Sequence, residues 1–162
     1  MIGKKMTEAL NRQMNREFYN SRLYLSMAAH FHALNMQGAT HWMEVQAQEE
    51  TGHGKKIYTH LKDRAARVTV AELPAPPTEW DSPLAAFEAA YKHECGVSKE
   101  IDELLALAAA QKDNAAAVML QWFVTEQVEE EASTDHVVQK LRAIKDAPGG
   151  LMIMDQVLGQ RK

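Results

Sequence analysis

The chain has 162 residues, enough for one domain with a sizeable core. Hydrophobic residues make up 46% and charged ones 25%, with a net charge of −4 and a pI near 6.0. That balance, with no compensating basic cluster, excludes the electrostatic footprint of a nucleic-acid binder. Cys95 is the only cysteine, so an intrachain disulfide and a cysteine-built zinc site are both excluded.

Gly and Pro are scarce (8 and 5), and helix formers dominate, so the expected class is all-α. Apolar spacing predicts a first helix over about 4–33, with Met6, Leu10, Gln13, Glu17, Tyr24, Ala28 and Phe31 on one stripe. "LNMQGAT" (34–40) reads as a short break. A second helix, about 40–66, places Trp42, Gln46, Glu49, Glu50, His53, Ile57 and Leu61 near one face. "RVTVAELPAPPTEWDSP" (67–83) holds four of the five prolines and cannot continue a helix. A third helix, about 84–112, carries Phe87, Tyr91, Glu94, Ile101, Leu105 and Ala108, and "KDNA" (112–115) is a tight turn. The fourth, about 115–145, carries Met119, Leu120, Phe123, Gln127, Glu130, Val137, Leu141 and Ile144. Pro148, Gly149 and Gly150 end it, and "LMIMDQVLG" predicts a short fifth helix over about 150–159.

Short connections make the first two helices antiparallel neighbours, and likewise the third and fourth. About 17 extended residues between the pairs reach up to ~55–60 Å, enough to return along the whole bundle. The predicted architecture is a four-helix bundle with one long crossover between helices 2 and 3. No stretch approaches a membrane span and the N-terminus lacks an apolar leader segment, so the expected location is the cytoplasm.

Each long helix carries a carboxylate near its middle on the core-facing stripe: Glu17, Glu50, Glu94 and Glu130. His53 follows Glu50 by three residues and projects from the same face. An unpaired buried carboxylate costs several kcal/mol or takes a proton, and like charges make this worse. The stripes offer only His53 as a cation, so a bound multivalent metal resolves the conflict. Carboxylates with one imidazole suit iron or manganese, less clearly zinc, and calcium least.

Di-iron bundles use one Glu from each of two helices and Glu-x-x-His from the other two. Glu17, Glu94 and "EETGH" (49–53) fit three helices, whereas "QVEE" (127–130) puts Gln and Glu where Glu and His are expected. The set therefore has one histidine. With "LNRQMNREFYNSRLYL", "QAQEETGH", "YKHE" and "LQWFVTEQVEEE" in this order, the whole chain resembles the prokaryotic non-haem ferritins. The resemblance implies a ferritin-like domain over 1–162, with the bundle at about 4–145. It implies a first iron site at Glu17, Glu50 and His53, and a second at Glu50, Glu94 and Glu130. Glu49, Glu126, Glu129 and Glu130 match the third iron site of this subgroup. Gln127, Tyr24 and Trp122 match residues beside the centre, Tyr24 and Trp122 as candidate electron donors.

The same resemblance implies a ferroxidase that oxidises Fe(II) with O2 or H2O2 and stores it as a ferric mineral in a 24-subunit cage. The alternative is a di-iron protein that detoxifies oxygen or peroxide, with storage incidental. Haem is not expected, because Gly52 stands where bacterioferritins have a haem-ligating Met. His30, His32, His41, His60, His93 and His136 are expected on the surface or behind the site, and the nine methionines in the core. Tyr91 and Trp122 are expected to pack near the site, Cys95 to be a buried small residue, and Glu131 to face solvent.

Overall fold

The computed structural model describes residues 2–144, 147 and 149–162. The helices are α1 (Lys4–Ala33), α2 (Gln37–Asp63), α3 (Pro83–Ala110), α4 (Asn114–Ile144) and α5 (Gly150–Leu158). Among the described residues there is no strand, and no helix is long and apolar enough to cross a membrane. The expected end of the fourth helix at Lys145 and the Pro148 stop lie outside the described residues.

The core is split along the bundle axis. One apolar cluster gathers Leu23, Met27 and Phe31 of α1 with Trp42, Met43, Phe87, Val138, Leu141 and the α5 residues Met154 and Leu158. The other gathers Met6, Leu10 and Met14 with Ile57, Leu61, Ile101, Leu104, Leu120 and Phe123. Glu17, Asn20, Gln46, Glu50, His53, Glu94, Gln127 and Glu130 lie between them along the helices and are all buried. The bundle therefore seals a polar layer between two apolar plugs. On α3, Leu104 is buried and the expected Leu105 only half-buried.

The crossover is fastened to α1 by side chains that mimic a strand partner. Asn11 donates to Arg67 O at 2.9 Å and accepts from Thr69 N at 2.6 Å; Asn15 repeats this with Thr69 O and Ala71 N. Farther along α1, Ser26 donates to Pro77 O, and the His30 ring meets Trp80 at 5.3 Å. From Asn11 to His30 the segment climbs roughly 30 Å of helix. It delivers Ser82, whose hydroxyl caps α3 through Ala85 N at 3.1 Å, with Pro83 opening the helix. α3 thus runs parallel to α2.

Two boundaries differ from the sequence reading because tertiary contacts set them. α2 begins at Gln37, so Gly38 lies inside the helix and the break shrinks to residues 34–36, with Asn35 at φ 57°. The N-terminal amide of Ala39 donates to Asp155 of α5 at 2.8 Å, a cap supplied from 116 residues away. At the other end α2 stops at Asp63 because Ala65 turns left-handed (φ 54°) and Ala66 N closes on Leu61 O. Three residue environments also differ from expectation. Met152 of α5 is exposed rather than in the core, because it lies on the outer face of the short helix. Cys95 is half-buried, and Glu131 is half-buried because it accepts a hydrogen bond from Ser98 of α3.

A Cβ on Gly38 would meet Asp155 O at 1.7 Å, whereas one on Gly52 would meet nothing within 4 Å. Gly38→Ala is expected to push α5 away and lower unfolding stability by about 1–3 kcal/mol. Gly52→Ala is expected to raise it by up to about 1 kcal/mol through helix propensity. Chemical denaturation of the two variants side by side checks both signs.

Candidate metal centre

Gln13 and Gln46 each sit four residues before an acid on the same helix face, so their amides reach forward onto it. Gln13 Nε2 donates to Glu17 Oε1 at 2.7 Å, and Gln46 Nε2 to Glu50 Oε1 at 3.2 Å. Gln46 Nε2 also reaches across to Glu130 Oε2 at 2.6 Å, joining α2 to α4. Asn20 Nδ2 touches Glu17 Oε2 at 2.9 Å and Glu50 Oε2 at 3.2 Å. Glu94 takes the Tyr24 hydroxyl on one oxygen and Gln127 Nε2, at 3.2 Å, on the other.

These donors are neutral amides and a phenol. Among the described residues no Lys or Arg forms an ion pair with Glu17, Glu50, Glu94 or Glu130, leaving His53 beside Glu50 at 3.5 Å. Burial therefore dominates the electrostatics. It pushes Glu17 and Glu50 well above the usual carboxylate range, reinforced for Glu17 by Glu50 and for Glu50 by Glu94 and Glu130. Burial also raises Glu94, opposed by its bonds from Tyr24 and Gln127, and lifts Glu130 to about 7 with help from the Glu94 charge. Tyr24 is raised by burial and by Glu94. The layer either holds protons or needs a cation.

The donor set fits a metal. Ligand atoms of Glu17, Glu50 and His53 lie within 4.8 Å of one another, and so do those of His53, Glu126 and Glu130. His53 is the shared member, with Nε2 at 3.9 Å from Glu126. Its buried Nδ1 and Gln46 Oε1 have no hydrogen-bond partner. A buried imidazole nitrogen without a hydrogen-bond partner, beside two buried carboxylates, is one that a metal can take in the tautomer that leaves it unprotonated.

Of the predicted site residues, the structure gathers Glu17, Glu50, His53, Glu94, Glu130, Tyr24 and Gln127 into the buried layer, with Glu126 at its edge. Trp122 borders it, its ring 5.6 Å from that of His53 and covered by Lys56 Nζ at 3.9 Å. Glu49 and Glu129 stand apart. Glu49 pairs with Arg161 at 2.5 Å, whose guanidinium also stacks on Trp42 at 4.1 Å, and Glu129 is exposed. Tyr91 is half-buried against the upper apolar cluster. Sequence reasoning gave no role to Asn20, Gln13 or Gln46. Polar amides on a core stripe one turn from a core acid were the available signal.

Comparison with known proteins agrees with this geometry. A family model described as a ferritin-like domain matches residues 7–144. The chain is 41% identical to a bacterial non-heme ferritin of Bacteroides fragilis over 161 residues, covering 99% of this chain and 100% of the relative. It is 38% identical to that of Staphylococcus saprophyticus, covering 99% and 96%. Among solved structures it is similar to an open-pore ferritin from the hyperthermophilic archaeon Archaeoglobus fulgidus. There the identity is 48%, the TM-score 0.98, and all of both chains is covered. With relatives aligned from end to end and an acidic, cation-free layer at the heart of the bundle, the chain belongs to the ferritin family.

Proposed function

We propose that this chain is an iron-storage subunit with ferroxidase activity, binding Fe(II) as substrate at the buried acidic layer. The observation that carries the reading is the combination of four buried carboxylates that pair with no Lys or Arg among the described residues and a buried His53 Nδ1 that makes no hydrogen bond. Glu17, Glu50 and His53 would hold one ferrous ion, and Glu50, Glu94 and Glu130 the second, with Glu126 at its edge. O2 or H2O2 would accept the electrons, and the product would move to a mineral in the cavity of an oligomer. Glu126, Glu129, Glu130 and Glu49 would offer a further iron position, Glu49 after release from Arg161.

The side chains do three things in this scheme. The carboxylates give up their protons as the metal charge arrives, and their flexible arms accept the added charge on oxidation. Tyr24 holds one oxygen of Glu94 and keeps a phenol beside the reacting metals, while Gln127 holds the other. Trp122 lies against His53 at the layer's edge. Cage assembly is supported by α5, whose Leu151, Met152, Ile153 and Val157 are exposed in the isolated chain and need an apolar partner. A 24-subunit cage of 18.2-kDa chains would weigh about 437 kDa (24 × 18.2 kDa), which a sizing column reads directly.

Glu50→Ala and His53→Ala are expected to slow the initial aerobic oxidation of Fe(II) by more than the roughly 10–100-fold typical of outer-shell changes, with the cage intact. Stopped-flow absorbance of the ferric product measures it. Wild-type rates in both variants would refute the site.

The pH dependence of the metal-free protein follows from the raised carboxyls. An acid whose folded pKa lies above its unfolded value favours folding in its protonated form, so its contribution is lost as pH rises. For Glu130 that window runs from 4.5 to about 7, corresponding to on the order of 3 kcal/mol. Metal-free protein is therefore expected to melt lower at pH 8 than at pH 5.5. Glu130→Gln should flatten the slope, and Zn(II) should restore stability at pH 8. Calorimetric scans at the two pH values decide this.

A further inference from the structure

Asn20 touches both acids of the first metal group and is fully buried. Its two amide hydrogens go to Glu17 Oε2 and Glu50 Oε2, and its Oδ1 lies 2.8 Å from Nε2 of His93 on α3. The two ends of an asparagine amide have nearly the same shape, so packing alone cannot choose between its orientations. Turned over, Oδ1 would face two carboxylates and both hydrogen bonds to them would be lost. An N–H on His93 Nε2 leaves one arrangement in which all three groups are paired. His93 is lodged with its ring centroid 6.4 Å from those of both Tyr19 and Tyr24.

We propose that His93 and Asn20 form a positioning relay that sets Glu17 and Glu50 at the separation needed by the first metal ion. The relay rests on the reading that these two acids bind Fe(II). It ties three helices together at one point: Asn20 and Glu17 on α1, Glu50 on α2, and His93 beside Glu94 on α3. Gln13 and Gln46 each steady the other oxygen of one first-group acid, and Gln46 reaches on to Glu130. Asn20 alone spans both first-group acids, and His93 fixes which of its ends does so. Donation from His93 also polarises the amide and strengthens its two bonds to the acids. Neither residue touches the reacting atoms, so their effect falls on metal affinity: most strongly at the first position, where Asn20 holds both acids, and less at the second, which shares Glu50 alone.

The test uses the assembled protein without iron and Zn(II) as the probe. Calorimetric titration gives the affinity of each step, and crystals soaked in limiting Zn(II) give the occupancy beside His53 and Glu17 against that beside Glu130. Asn20→Leu keeps the branched shape, in a somewhat larger side chain, and removes the donors; His93→Leu removes the N–H that orients it; His93→Gln keeps an N–H. Both leucine variants are expected to weaken Zn(II) at the first position about tenfold, weaken the Glu130 side clearly less because it shares only Glu50 with the relay, and keep the melting temperature within a few degrees. His93→Gln should recover most of the loss. Unchanged first-position affinity in both leucine variants overturns the relay, as does an equal loss at both positions or an equal loss in His93→Gln, which would mark general packing. Should Asn20→Leu fail to fold, Asn20→Ser keeps one donor, and an unchanged affinity there overturns the proposal equally. If the wild-type protein binds no Zn(II) or Fe(II) at all, the ferroxidase reading itself fails, which is a distinct outcome.

Discussion

The structure depends on one constraint: four carboxylates are held out of water at the middle of a helical bundle with no fixed cation among them. Burial of one such group is costly, and Glu17, Glu50, Glu94 and Glu130 raise one another's cost by mutual repulsion. The fold tolerates this only because each end of the bundle is closed by a well-packed apolar cluster. The clusters supply the stability, and the layer between them spends part of it. Burial raises the pKa of all four acids, which couples folding to pH; a multivalent ion bound there would couple folding to metal.

The remaining architecture can be read as support for that layer. A neutral hydrogen-bond donor reaches every buried acid, and these donors come from three of the four long helices: Gln13, Asn20 and Tyr24 on α1, Gln46 on α2, Gln127 on α4. The long crossover serves the same end. By returning along α1 under the grip of Asn11 and Asn15, it makes α3 parallel to α2 and brings Glu94 level with Glu17 and Glu50. A short hairpin could not have placed the third helix in that direction. α5 closes the upper cluster through Met154 and caps α2 through Asp155.

Much of this was legible in the sequence because it rests on periodicity. Four acids falling on four core stripes are visible once the 3.6-residue repeat is drawn, and so is the single Glu-x-x-His of α2. The helix ends were legible where a local signal marks them, as at Ser82 and Pro83. They were not legible where a distant residue decides. Gly38 looks like a helix breaker, yet it is a helical residue kept small by the α5 backbone, and only the folded chain brings Asp155 to it. The same limit applies to Glu49, whose partner Arg161 is 112 residues away. Asn20 escaped notice, and His93 was expected only on the surface or behind the site, for another reason: a polar residue on a stripe has many bland roles, and its hydrogen-bond partners cannot be read from spacing.

The choice of donors bears on what the layer can do. Lys or Arg side chains placed among the acids would have satisfied them permanently, and a buried ion pair broken by an incoming metal leaves an uncompensated charge. Amides and a phenol hold the carboxylates in place without neutralising them. Each bond is worth only about 1–3 kcal/mol to a charged group and can be exchanged for a metal contact oxygen by oxygen. Glu17 and Glu50 each have both oxygens engaged this way, so a metal entering the layer finds oriented ligands that it can take over one at a time. His53 Nδ1 makes no hydrogen bond, its nearest acid being Glu50 Oε2 at 3.5 Å, so a metal would displace no hydrogen bond there. Such a layer is oriented by bonds weak enough to exchange and is acidic enough to fill, which is the property a site must have if its metal is to be bound, changed and passed on.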